Sequence, residues 1–191
     1  MSSPGLTEIE MYSGVYVELA DPQPETIRLE DIAFSLANIA RYGGHVPFYS
    51  VAQHAVLVTR RLRKQGETTA VQLAGLHHDD PEAYIGDVPK PLKPLLPELK
   101  QLNHKFELVI KTALDIEGAN FEHPSIKAAD TWSLSYEAYW LMQSKGAAWP
   151  SAGVYTPGEY DDPEQFVNWA PHAAETLFLA EHKTLTEQCK T

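Results

Sequence analysis

The chain has 191 residues, 43% apolar and 21% charged, the profile of one globular domain with enough apolar surface for a real core. Its 26 acidic against 15 basic side chains give a net charge of −11, which opposes broad binding to nucleic acid but not to one small phosphorylated ligand in a locally cationic cleft. No apolar run reaches membrane-spanning length, no basic-then-apolar leader opens the chain, and the single cysteine, Cys189, cannot form an internal disulfide; a cytoplasmic protein is expected.

The first dozen residues are expected to fray. Met11 to Leu19 reads as a small β-hairpin turning at Ser13-Gly14, and Asp21-Pro22-Gln23-Pro24 as a loop. From Leu29 to about Tyr42, Ile32, Ala33, Leu36, Ile39 and Ala40 keep helical spacing, and Gly43-Gly44 stops the helix. Ser50-Val51-Ala52-Gln53 is a capping box that opens a second helix to about Leu62; a third spans about Thr69 to Asp79. Pro81 lacks the N–H that would bond the His77 carbonyl, so a break or kink is expected at the His-Asp pair. Pro89, Pro91, Pro94 and Pro97 stiffen the following loop. Helices from about Glu98 to Ile116, after Pro124 through Leu141, and from about Pro163 to Thr186 complete one mostly helical domain. The candidate chemistry falls between about residues 29 and 143.

That chemistry centres on His77-His78-Asp79-Asp80-Pro81-Glu82-Ala83-Tyr84-Ile85-Gly86-Asp87. Adjacent His78 and Asp79 can bind one divalent cation through an imidazole nitrogen and a carboxylate oxygen. His54 shares a face with Val51, Ala55 and Val58 and should point inward, as a hydrogen-bonded core residue or as a ligand. Asp130, on the helix after Pro124, is a surface acid or a fourth ligand. Two histidines and two aspartates make a mixed N/O site for one borderline divalent ion: zinc, cobalt or manganese, with iron, nickel or magnesium as further candidates. Glu82 follows His78 by four residues and suits a base beside an activated water, and Asp87 lies in a loop that could approach a leaving group. Arg41, Lys90 and Lys93 are the nearby cations for phosphate oxygens, or else solvated charges. His77 reads as a supporting or structural residue. Trp132, Tyr136, Tyr139 and Trp140 follow helical spacing, as for a core or subunit contact. His45, His104, His123, His172 and His182 carry no assignment.

The blocks Ile27-Arg28-Leu29-Glu30-Asp31-Ile32-Ala33, Arg41-Tyr42-Gly43-Gly44-His45, Tyr49-Ser50-Val51-Ala52-Gln53-His54 and His78-Asp79-x-x-Glu82-Ala83-Tyr84-x-Gly86-Asp87-x-Pro89 resemble the HD-domain metal-dependent phosphohydrolases. The similarity runs from about residue 11 to residue 145, and is greatest to the branch of bacterial 5′-deoxynucleotidases and small phage and bacterial HD hydrolases. The resemblance implies an all-α HD fold with a small N-terminal hairpin, and metal ligands at His54, His78, Asp79 and Asp130. Glu82 would activate the nucleophile, Asp87 would assist at the phosphate, and Arg41 and Lys93 would hold substrate phosphates. The branch includes a phage dATP triphosphohydrolase, where Pro91 and Lys93 match a base-contacting proline and a phosphate-binding lysine. Two departures stand out: Asp80-Pro81 follows the pair where small residues are usual, and Tyr42 replaces a sugar-reading tryptophan.

The function expected is therefore hydrolysis at the α-phosphorus of (deoxy)nucleotides, with dATP triphosphohydrolase first and 5′-deoxynucleotidase on dNMPs second. A non-catalytic nucleotide-binding HD protein and a cyclic-nucleotide phosphodiesterase are the readings of other kinds. Kinship also implies a homo-oligomer, a dimer or higher, and host cytoplasm as the location if a phage encodes the chain.

Overall fold

A computed structural model of the protein describes residues 5–147, 149, 155 and 166–190. Two short strands, β1 (Glu8–Glu10) and β2 (Tyr16–Glu18), pair antiparallel with Ile9 opposite Val17. The expected hairpin is present, but its first strand lies in residues expected to fray. Val17 is fully buried, and the Ser13 backbone N–H and hydroxyl both donate to Asp31 at 2.7 Å, so a buried anchor and two charged hydrogen bonds hold the hairpin down.

Seven α-helices follow among the described residues: α1 (Leu29–Asn38), α2 (Val51–Lys64), α3 (Thr69–Leu76), α4 (Glu82–Ile85), α5 (Leu99–Ala113), α6 (Pro124–Leu141) and α7 (Pro171–Cys189). The chain is thus mostly helical with a small N-terminal sheet, as its periodicity indicated. None of these helices is long and apolar enough to cross a membrane.

Helix α2 is the axis of the packing. It contacts α1, α3, α6 and α7, and buries Val51, Ala52, Ala55, Val58 and Leu62 along one stripe. Its cap forms as expected, with the Gln53 N–H donating to Ser50 Oγ at 3.1 Å. The reciprocal half of the capping box does not form. The Gln53 side chain instead donates to the Val167 carbonyl at 2.8 Å and accepts from the Trp169 N–H at 2.9 Å, tying the approach to α7 onto α2.

Three helix ends differ from expectation. Helix α1 stops at Asn38 rather than Tyr42, because Ala40 turns extended and pairs with Ser50 in an isolated antiparallel bridge. The chain then reverses through Tyr42, Gly43 and Gly44, all with positive φ of 60° to 77°. Arg41 therefore lies in a tight turn and not at a helix end. Helix α3 stops at Leu76, before the His-Asp pair, and α5 ends at Ala113. The last helix begins at Pro171; the described residues 166–170 before it are not helical, and its expected start at Pro163 lies outside the described residues.

Candidate metal centre

Helix α2 points His54 into the interior, where the ring has no exposed surface. Its Nδ1 lies 2.6 Å from Glu137 Oε1 on α6, so Nδ1 carries a proton and donates it to that carboxylate. Glu137 also accepts from Arg41 Nε at 3.2 Å, Tyr42 Oη at 2.5 Å and Tyr49 Oη at 3.2 Å. Burial alone would raise its pKa. The charges of Arg41 and His54 and the bonds from His54 and Tyr42 instead hold Glu137 below the usual carboxylate range.

His78 is fixed by a different partner with the same consequence. Its Nδ1 lies 2.8 Å from the Gly75 carbonyl at the end of α3, and a carbonyl can only accept, so Nδ1 is again the protonated nitrogen. Both Nε2 atoms are buried and make no hydrogen bond. They share one carboxylate, Asp79: His54 Nε2 is 3.6 Å and His78 Nε2 is 3.3 Å from Asp79 Oδ2, while His54 Nε2 alone also lies 3.2 Å from Asp130 Oδ1. One ligand atom from each of His54, His78 and Asp79 falls within 4.8 Å of the others. Donors bonded at about 2.0–2.2 Å to one tetrahedral ion lie about 3.3–3.6 Å apart, so these separations fit a single first-row cation. Nδ1 pinned by an acceptor with Nε2 left open is the usual state of a metal-binding imidazole.

Opposing charges meet at the site. Burial and Arg41 disfavour a charged His54, but Glu137 and Asp130 outweigh them and push it up to about 10. Asp130, whose side chain is 44% exposed, is held well below the ordinary carboxylate range by His54, His78 and Arg41.

The break at the His-Asp pair forms as a sequence of tight turns. Asp80, Glu82 and Ala83 N–H groups donate three residues back to His77, Asp79 and Asp80 carbonyls at 3.2, 2.9 and 3.0 Å. Glu82 thus reaches the cleft through turns, with Pro81 just ahead of α4, rather than along a continuous helix. Its carboxyl is 6% exposed, one oxygen lies 3.7 Å from Lys93 Nζ, and the other is buried without a hydrogen-bond partner. Burial, reinforced by the charges of Asp79 and Asp87, pushes Glu82 well above its ordinary range. His78, Asp79, Glu82 and Lys93 line a groove of about 670 Å³, together with Asn103 and His104 of α5.

Not every candidate is drawn in equally. Arg41 is 8% exposed and committed to Glu137 through Nε, while its NH1 edge lies 3.8 Å from Asp79. The Tyr42 phenol is tied to Glu137. Asp87 is half-buried and close enough for its charge to act on both Arg41 and Glu82. Lys90 and Pro91 are exposed and do not line the groove. His77 turns away from the cleft toward Asp80 and α7. Trp132 and Tyr136 stack at 5.1 Å, and Tyr136 also meets Tyr155 and Phe166, so part of the aromatic row serves the chain's own core.

Glu137 and Tyr49 were missed from sequence. The signal for Glu137 was present: it follows Asp130 by seven residues, two helical turns on the same face, in an otherwise uncharged Trp132–Tyr136 stretch.

No protein-family model matches the chain. It is 36% identical over 143 residues to the uncharacterized protein YfdR of Escherichia coli (strain K12), covering 74% of this chain and 76% of that protein. The chain belongs to the YfdR family. A second similar protein, the uncharacterized protein RCAP_rcc00048 of Rhodobacter capsulatus, is 35% identical over 137 residues, 67% of this chain and 69% of that one. An overlap of 137 residues or more in a chain of 191 spans most of the domain, so YfdR-family kinship extends well beyond a short motif.

Proposed function

We propose that the protein is a metal-dependent phosphohydrolase with an HD-domain fold, acting at the α-phosphorus of nucleotides. The observation that carries this reading is the pair of buried Nε2 atoms, open and facing Asp79 and Asp130, beside an unpartnered Glu82 oxygen. His54, His78, Asp79 and Asp130 would hold one divalent cation: zinc, cobalt or manganese. Bound there, the cation would polarise a phosphoryl oxygen and acidify a water.

Glu82 would accept the proton of the attacking water through its free oxygen, and burial, which raises its affinity for a proton, suits it to that role. The water oxygen bonds to phosphorus, the P–O5′ bond breaks, and the departing 5′-oxygen takes up the proton that Glu82 accepted, with Asp87 at hand for the relay. Lys93 at the groove wall and the NH1 edge of Arg41 would balance the phosphate charge. A groove of about 670 Å³ is in the size range of nucleotide-sized ligand sites. The resemblance at Lys93, which lines the groove, favours dATP, cleaved to deoxyadenosine and triphosphate, over a deoxynucleoside monophosphate.

The test uses metal-stripped protein reloaded separately with cobalt, manganese or zinc and incubated with common NMPs, dNMPs, NTPs and dNTPs. Chromatography resolves nucleoside, phosphate and triphosphate. Nucleoside with intact triphosphate from dATP supports the proposal as stated, and nucleoside with phosphate from monophosphates alone makes the protein a 5′-nucleotidase. Saturable nucleotide binding with no product under any metal would replace the proposal with a non-catalytic binding role.

A further inference from the structure

The ligand pair His78-Asp79 is bracketed by two residues that the cleft does not use. His77 and Asp80 are both fully buried, and His77 Nδ1 lies 2.6 Å from Asp80 Oδ2, closing a clasp across the turn that presents the ligands. The Asp80 N–H donates to the His77 carbonyl at 3.2 Å and closes the same turn through the backbone. The other nitrogen of His77 does not face the cleft. It lies 2.9 Å from His182 Nδ1 on α7, a hydrogen bond whichever ring carries the proton. The ring edge also meets Phe178, one helical turn earlier on the same face of α7, at 5.5 Å and 88°.

Helix α7 is itself fastened to the helix that carries His54. Glu181, next to His182, accepts from Arg63 of α2 at 2.6 and 3.2 Å. Two adjacent residues of α7 therefore reach opposite ways: Glu181 to Arg63 of α2, and His182 to His77, Asp80 and the ligand turn. We propose that His182 is a positioning residue for the metal centre: its hydrogen bond to His77 sets the turn from which His78 and Asp79 meet the cation, relative to His54. The inference rests on the metal-centre reading above. Without His182, the buried His77 nitrogen loses its partner and the ring is free to rotate, which releases one end of the clasp.

Cobalt affinity of the full chain, measured by calorimetric titration, tests this with His182→Leu, His182→Asn and Leu185→Ala. Leucine removes the hydrogen bond. An asparagine amide can place either a donor or an acceptor where Nδ1 lies. Leu185→Ala opens a cavity under the same helix, at a fully buried residue, without touching His77. The expected result is about tenfold weaker cobalt binding in His182→Leu, affinity restored in His182→Asn, and unchanged affinity in Leu185→Ala despite a lower Tm. Nitrogen-15 NMR should show the His77 Nε2 resonance shifted in His182→Leu and restored in His182→Asn. Wild-type affinity in His182→Leu overturns the inference alone, as does equal weakening in Leu185→Ala, which would mark a merely structural role. No cobalt binding by the wild-type chain overturns the metal-centre reading and this inference together.

Discussion

Replacing Glu137 with Gln removes one charge from the most heavily engaged carboxylate beside the centre. Glu137 has no exposed surface and accepts from four donors, of which Arg41 is itself 8% exposed. An amide keeps one acceptor oxygen and turns an N–H₂ toward groups that are themselves donors. Hydrogen bonds to a charged partner contribute about 1.5–3 kcal/mol each, and glutamine would retain only part of four. Arg41 would lose its closest counter-ion and keep only Asp79, 3.8 Å from its NH1, which puts the net loss at about 3 kcal/mol, the low end of the range for breaking a buried pair. The second effect falls on the metal. An amide N–H₂ facing His54 Nδ1 favours the tautomer with the proton on Nε2, where the cation must bind. Removing such a supporting carboxylate lowers metal affinity by about 10- to 100-fold, or about 1.4–2.8 kcal/mol. Urea unfolding of the metal-stripped protein reads the first effect and a cobalt competition titration reads the second. A Glu137→Gln variant with the wild-type urea midpoint and the wild-type cobalt affinity would refute the assignment of Glu137 as the residue that sets His54.

Glu82→Gln should leave cobalt bound and lower turnover by about 10²- to 10⁴-fold, with thermal stability unchanged or higher because a buried, repelled carboxyl is removed; full turnover in that variant would remove Glu82 from the chemistry. His54, ordinarily near 6.5, stands at about 10 in the metal-stripped protein, so its contribution to stability is complete below about pH 6.5 and is lost as pH rises toward 10. Metal uptake at pH 7.5 should accordingly release close to one proton from His54, read as a dependence of the calorimetric heat on buffer ionisation enthalpy; no proton release contradicts the raised pKa. A Cβ at Gly75 would lie 2.3 Å from Leu62 Cδ1, so Gly75→Ala should destabilise by about 1–3 kcal/mol, and pairing it with Leu62→Ala should cost less than the two single changes added together.

What was legible in the sequence was local. The α2 cap depends on Ser50 and the Gln53 N–H, the inward face of His54 depends on its apolar neighbours, and the break before Glu82 depends on Pro81; each is a short-range rule. The grouping of His54, His78 and Asp79 was expected from the resemblance to a known ligand pattern, while Asp130, the fourth expected ligand, approaches His54 but falls outside that group. The end of α1 was not legible, because Ile39 and Ala40 continue the helical period and only the pairing of Ala40 with Ser50 overrides it. Tyr42 adopts φ 61°, a region a non-glycine residue occupies at a cost of about 1–3 kcal/mol, and its phenol bond to Glu137 offsets part of that cost. Glu137 itself was passed over because a lone glutamate on a helix reads as a solvated charge until its four partners are brought together. Asp80, which departs from the small residue usual after the pair, serves His77. The contacts of Glu137 and of His182 are long-range, 105 residues apart for His77 and His182, and no local pattern encodes them.

The most direct test of the proposed centre is a cobalt titration of the metal-stripped chain, followed by calorimetry and by visible absorption, alongside Asp79→Ala and His54→Ala. One equivalent bound per chain, with a cobalt–imidazole spectrum that both variants lose, is the predicted result. No saturable binding by the wild-type chain, or the same stoichiometry and spectrum in both variants, would contradict a metal centre at His54, His78, Asp79 and Asp130.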